Sequence, residues 1–503
     1  MALWVLLCSC TGSDPKTGPD SEDTQGSGQE TALDTAETGT PVDSTPPDTG
    51  ETPDTGQSIE TRDRLFPRST IAFAQPDAAY PFTGSYALYG ADMAAWIFLP
   101  ASVQETTDTT DYRNLLTIHE QGDQLTSARV EIDVTWWGMT TRYPDSYTDA
   151  AVLDFDGEPL TLPWNDEHLW FCSHQPDFDA YVRWQISDQA LAEGARPDLF
   201  MLDTQTTTPM TYYYGGCFCE MCMEDFRVWM SESHDGDELE ALEIADIDSW
   251  DYHQHLVDQG YDKSSYEAAA VSWPNDVPLA EDYRRFQLEW LEAYVGDLAV
   301  HIRAEGGQDY EPGIGTSSPI WESGWPGTRT LFDAPDLTHY VLELGHGAQS
   351  GQVPTDPVLV YRMGDVFERP VLVTALPQAD WAWMLSEDKG SLMRSWIALA
   401  YANGAHFLVP TAQWAGGDDS YEASSEDIKD LYQFIEEHPF LYDRMQTVSH
   451  TGVVYVNTAV RDNSQNVHDA VDDLQARNIP FHLVPAGDEW WDVRLDEEQL
   501  EGL

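Results

Sequence analysis

Three cysteines within six residues, Cys217, Cys219 and Cys222, constrain this chain more than any other feature. Thiolates at C-x-C-x-x-C spacing can converge on one ion, and a fourth from upstream, Cys172, completes a tetrahedral all-thiolate site with no open coordination position. Such a Zn2+ site is structural, and it requires a scaffold that brings two distant segments together. The alternative is a pair of disulfides, as expected of an exported chain. Cysteines two or three residues apart are poorly placed to bridge one another, so that reading leaves three of the four in need of other partners.

From residue 68 onward, apolar strand-like runs alternate with amphipathic helical stretches. The runs at 69–75, 113–121, 128–137, 197–203, 312–318, 337–343, 369–376 and 405–411 are predicted strands. Helices are predicted at 177–193, 281–305 and 389–402, the second with Phe286, Trp290, Leu291, Tyr294 and Leu298 near a 3.6-residue period. About eight such units imply a parallel sheet closed into a (β/α)8 TIM barrel over 63–445. The acidic stretch 231–280 reads as an insertion whose role the residues leave open. After it, 451–457, 464–477 and 479–485 read as the β-α-β start of a doubly wound α/β domain over 446–503, too short to close one.

The cysteine pattern, the run FRVWM after it, and the segments RPVLVTALPQADWAW and KGSLMRSWIALAYANGAHFLVPTAQW resemble the family 42 glycoside hydrolases, of the β-galactosidase type. That resemblance implies the barrel and the zinc. It also implies that 446–503 begins an amidotransferase-like domain, often linked to homo-oligomers. In that family an acid glutamate ends strand 4 and a nucleophilic glutamate ends strand 7. Here the corresponding places hold Asp203-Thr204-Gln205 and Thr374-Ala375-Leu376, so neither family carboxylate is present. A glutamine cannot protonate a leaving group and an alanine cannot form a glycosyl intermediate.

Two carboxylates remain at predicted strand ends, Asp203 after strand 4 and Glu343 after strand 6. The pair is similar to the nucleophile and acid of the α-galactosidase group, and it is the predicted catalytic pair. Each is also accounted for by a hydrogen-bonded carboxylate that shapes the barrel mouth. Gln205, His119, Trp137, Trp321, His346, Trp381 and Trp414 are candidate substrate-binding residues, because amphipathic rings in barrel loops can stack on sugar faces. A lone histidine is also accounted for by a structural hydrogen bond.

With 89 acidic against 24 basic residues, the net charge of −65 repels nucleic acid and anionic membrane surfaces. Residues 1–10 end in Leu-Cys-Ser-Cys and resemble a bacterial lipoprotein signal, which implies export and a lipid anchor as the membrane attachment. Residues 11–62 are rich in Thr, Asp, Pro, Gly and Ser and are expected to be a disordered linker. No phosphate loop, dinucleotide fingerprint or Gly-x-Ser-x-Gly elbow occurs. The sequence thus predicts an exported glycoside hydrolase-like protein acting on carbohydrate, or alternatively a tethered, non-catalytic carbohydrate-binding or scaffold protein on the same barrel.

Overall fold

A computed structural model describes residues 71–74, 90–103, 106–135, 137–162, 165–203, 211–270, 277–316, 334–349, 355–410, 425–438, 441, 449–456 and 465–486. The expected signal at 1–10 and linker at 11–62 lie outside them. Eight parallel strands close into a barrel in sequential order: β1 (Ile71–Ala74), β2 (Met93–Phe98), β3 (Leu125–Glu131), β4 (Leu199–Asp203), β5 (Gly313–Thr316), β6 (His339–Leu344), β7 (Val371–Ala375) and β8 (His406–Pro410). β1 pairs with both β2 and β8, which completes the circle. The strands from β2 onward are buried almost throughout, as parallel strands covered by helices must be.

One predicted strand was wrong. The run 113–121 belongs to the helix Thr110–Gln121, whose buried residues Tyr112, Leu115, Leu116 and His119 recur at helical spacing. The second strand is instead Met93–Phe98. It reads MAAWIF, is buried on both faces, and carries a register shift between Ala94 and Ile97. Such an apolar run has no alternation to announce it.

Around the strand ends the chain builds a second apolar core, distinct from the barrel core, from Val134 through Trp170 and from Tyr212 through Phe286. The insertion 231–280 contributes to it as short helices, Gly236–Ala241, Tyr252–Asp258 and Lys263–Ala270, with Tyr252, Leu256 and Tyr266 fully buried. At the C-terminus Gly452–Val456 (β9) and His482–Ala486 (β10) form a parallel pair joined by the helix Gln465–Ala476, the expected β-α-β unit.

The barrel interior narrows where Gly315 on β5 faces His339 on β6. A Cβ at 315 would lie 2.3 Å from the Nε2 of a histidine that is itself fully buried. Replacing Gly315 with alanine should therefore cost about 1–3 kcal/mol through forced repacking. Chemical denaturation of Gly315→Ala checks this, and a midpoint equal to the wild type would contradict the close approach.

Candidate active site

Active sites of (β/α)8 barrels lie at the C-terminal ends of the strands. Here that end holds a charged cluster at positions where barrels usually carry branched apolar side chains. Glu131 ends β3 and Asp203 ends β4, and the two are directly paired in register. Arg129, two residues before Glu131, therefore projects to the same face. Its Nη1 donates to Glu131 Oε1 at 2.8 Å, and its Nη2 forms an ion pair with Asp203 Oδ2. All three side chains are buried. The guanidinium also lies over the Phe98 ring at 4.6 Å, a planar cation on an aromatic face.

Glu343, the penultimate residue of β6, is partly buried and feels both charges. Burial first, and then the negative charge of Asp203, push its carboxyl up to about 8 against a small opposing pull from Arg129. Glu131 is pushed up to about 7, again chiefly by burial, with Arg129 opposing. Burial works against the charge of Arg129, yet Asp203 and Glu131 outweigh it and raise its pKa. One guanidinium thus serves three acids. Three carboxylates around one buried guanidinium cannot all be ionised at little cost, so part of the cluster holds protons near neutral pH.

The loops after β6 and β7 are fastened by Asp380. Its Oδ2 accepts from the His346 N–H at 2.8 Å and the Leu376 N–H at 3.2 Å, and its Oδ1 from the Ala348 N–H at 3.0 Å. This buried carboxylate fixes the backbone just after Glu343.

The predicted site residues separate on this geometry. Asp203 and Glu343 come together. Trp137 follows β3, is 44 % exposed, and meets the His168 ring edge-on at 6.1 Å. His119 does not belong to the site: it is buried on the helix before β3, and its Nδ1 is 2.8 Å from Gln124 Oε1 while Gln124 reaches the Ala91 carbonyl, at the opposite end of the strands. His346 is buried, pairs through Nδ1 with the Leu344 carbonyl at 2.8 Å, and packs on Trp396 and Phe407. Trp381 is fully buried against the same two rings, so it is core and not rim. Gln205, Trp321 and Trp414 lie outside the described residues. Arg129, Glu131 and Asp380 were missed. Their signal was present in Arg129 and Glu131, two charged residues at a spacing of two inside a strand buried on both faces.

The four cysteines do converge. Cys172, Cys217, Cys219 and Cys222 are buried, and their sulfurs all lie within 4.8 Å of one another. The sulfur of Cys172 is 3.7 Å from that of Cys219 and 3.4 Å from that of Cys222. A tetrahedron with metal–sulfur bonds of about 2.3 Å has edges of about 3.8 Å, whereas a disulfide needs about 2.05 Å. The donor set fits a metal ion, and the four are not disulfide-bonded. Cys219 caps the helix Glu220–Ser233, its sulfur accepting the Cys222 N–H, and hydrogen bonds from the other three thiols hold it far below the ordinary thiol range. Tyr283 donates to the Cys217 carbonyl at 2.5 Å, tying the cluster to the long helix Ala280–Gly306. The Phe218 N–H bonds the Leu153 carbonyl, and the Phe171 N–H bonds the Asp133 carbonyl, so the cluster joins the excursions that follow β3 and β4.

No family model matches the chain. An α-agarase of Thalassotalea agarivorans is 30% identical over 386 residues, 73% of this chain and 25% of that protein. The chain thus spans about a quarter of the length of that relative. A β-galactosidase structure from Rahnella sp. R3 superposes with a TM-score of 0.60 at 12% identity, covering 84% of this chain and 65% of that one. A β-galactosidase from Marinomonas ef1 gives 0.56 at 9% identity, covering 85% and 73%. The structural likeness carries the barrel fold, and the sequence likeness is to part of the α-agarases and not specifically to the family 42 enzymes. The chain is a (β/α)8 barrel, similar in fold to these β-galactosidases and in sequence to part of the α-agarases.

Proposed function

We propose that this barrel hydrolyses an α-glycosidic bond of an agar-type polysaccharide, with Glu343 as proton donor and Asp203 as nucleophile. The observation that supports this reading is the pair of environments at the strand ends. Two carboxyl groups pushed into different charge states by their surroundings are what glycoside hydrolysis requires. Asp203 is ion-paired with Arg129. Glu343, held up to about 8, carries its proton at neutral pH.

In the first step the Glu343 proton passes to the glycosidic oxygen as the bond to the anomeric carbon breaks. Asp203 forms a bond to that carbon from the opposite face. In the second step Glu343, now a carboxylate, takes a proton from water, the water oxygen bonds the anomeric carbon, and Asp203 leaves. Trp137 offers a face for a neighbouring sugar ring. The substrate is inferred from the α-agarase likeness, and export from the strongly acidic composition and the lipoprotein-like start. No described helix is long and apolar enough to cross a membrane. The non-catalytic reading is favoured by one observation only, Ala375 at the end of β7 where the β-galactosidase type keeps its nucleophile.

The cysteine cluster is proposed to hold a structural zinc ion, whose contribution is folding energy and not chemistry. Cys219→Ser should remove bound zinc and lower the melting temperature of the purified protein. Metal analysis finding no zinc, together with thiol titration finding the four cysteines oxidised, would sink this assignment.

For the reaction itself, Glu343→Gln should slow hydrolysis of agar oligosaccharides by about 10²–10⁴-fold, the usual worth of a positioned general acid. Asp203→Asn should abolish it. Activity should fall as pH rises past about 8, where Glu343 loses its proton. The same group makes the folded state bind a proton that the unfolded chain releases, so its contribution to stability is complete below about pH 4.5 and is lost as pH rises to about 8. Glu343→Gln should therefore gain in melting temperature over the wild type across that interval. Unchanged turnover in Asp203→Asn, or a melting difference independent of pH, contradicts these roles.

A further inference from the structure

Glu131 is a doubly hydrogen-bonded, buried carboxyl at the barrel mouth, although the two-carboxylate reaction has no step for it. One oxygen receives Arg129 Nη1 at 2.8 Å, and the other receives the Tyr181 hydroxyl at 3.2 Å. Its backbone is gripped on both sides by the Gln185 side chain, which accepts from the Glu131 N–H at 3.2 Å and donates to the Glu131 carbonyl at 2.8 Å. Tyr181 belongs to the helix Pro176–Trp184, and Gln185 opens the wider π-type turn that continues it. The approach of Tyr181 depends on Gly138, where a Cβ would fall 1.6 Å from the phenolic oxygen. Three separate segments thus converge to hold a single buried acid against the guanidinium that also pairs with Asp203.

We propose that Glu131 is a positioning residue for the reaction, and that its ionisation draws Arg129 away from Asp203. This rests on the assignment of Asp203 and Glu343 given above. When Glu131 is neutral, the guanidinium is committed to Asp203, which lowers the electron density available for attack. When Glu131 releases its proton to bulk solvent, two carboxylates share one guanidinium, and each is bound less tightly. The groups facing Glu131 are Arg129 on its own strand, Asp203 on β4 and Tyr181 on the following helix. Burial raises both carboxyls, Glu131 to about 7 and Glu343 to about 8. Active enzyme is the form with Glu131 ionised and Glu343 protonated, which gives a narrow bell in pH.

The test is the pH profile of kcat/KM on agar oligosaccharides for the wild type, Glu131→Gln and Tyr181→Phe. The wild type should lose activity below about pH 7. Glu131→Gln should abolish that acid limb and lower the plateau by about tenfold, equivalent to one pKa unit of interaction. Tyr181→Phe removes a hydrogen bond that favours the Glu131 anion, so its acid limb should move to higher pH, which a merely structural loss would not do. An acid limb unmoved in either variant overturns the inference while leaving the Asp203 and Glu343 assignment standing. Absence of hydrolysis in the wild type overturns both. Should Glu131→Gln fail to fold, the direction of the Tyr181→Phe shift decides alone.

Discussion

A single guanidinium organises the mouth of this barrel. Arg129 lies on the Phe98 ring and is bonded to Glu131 and Asp203, with Glu343 within range of its field. Removing one partner of a buried ion pair typically costs about 3–5 kcal/mol, because the other charge is left uncompensated. The cluster can exist only because three acids share the cation and because burial raises the proton affinity of two of them. The same frustration that makes the arrangement expensive to fold gives neighbouring carboxyls different proton affinities, and acid–base chemistry needs that difference.

The cluster is steadied from outside the barrel. The segments after β3 and β4, the strands that end in Glu131 and Asp203, are cross-connected through the bridge of Asp154 with Gly216 and the Phe218 N–H bond to the Leu153 carbonyl. They meet at the four cysteines, inside a second core filled by Phe218, Phe226, Tyr252, Tyr266 and Tyr283. The helices of 231–280 cover that core. An ion held there would lock the two excursions together without approaching the reacting atoms. Asp380 does comparable work on the other side, where three amide donors on one carboxylate fix the chain after Glu343.

Much of this was legible in the sequence, and the failures have physical causes. Cysteine spacing announced the cluster because ligand geometry restricts spacing tightly. Seven strand runs were visible from apolar blocks between helical stretches, but MAAWIF was missed and 113–121 misread, since short apolar runs look alike whether they bury in a helix or a strand. Asp203 and Glu343 were singled out because they lie at or next to strand ends, where the structure also places them. Arg129 and Glu131 were overlooked because a charged residue in a strand ordinarily points to solvent, and only barrel closure turns that face inward. Trp381 and His119 show the converse: aromatic and histidine side chains carry no mark that separates rim from core, and both are buried.

The central claim is that Asp203 is the atom donor to the anomeric carbon while its neighbours tune it. Trapping the protein with a 2-deoxy-2-fluoro glycoside matched to its substrate, followed by peptide mass spectrometry, tests this most directly. The account predicts a glycosyl adduct on Asp203 and on no other carboxylate of the cluster. An adduct on Glu131 or Glu343, or undiminished turnover with no adduct at all, would contradict it.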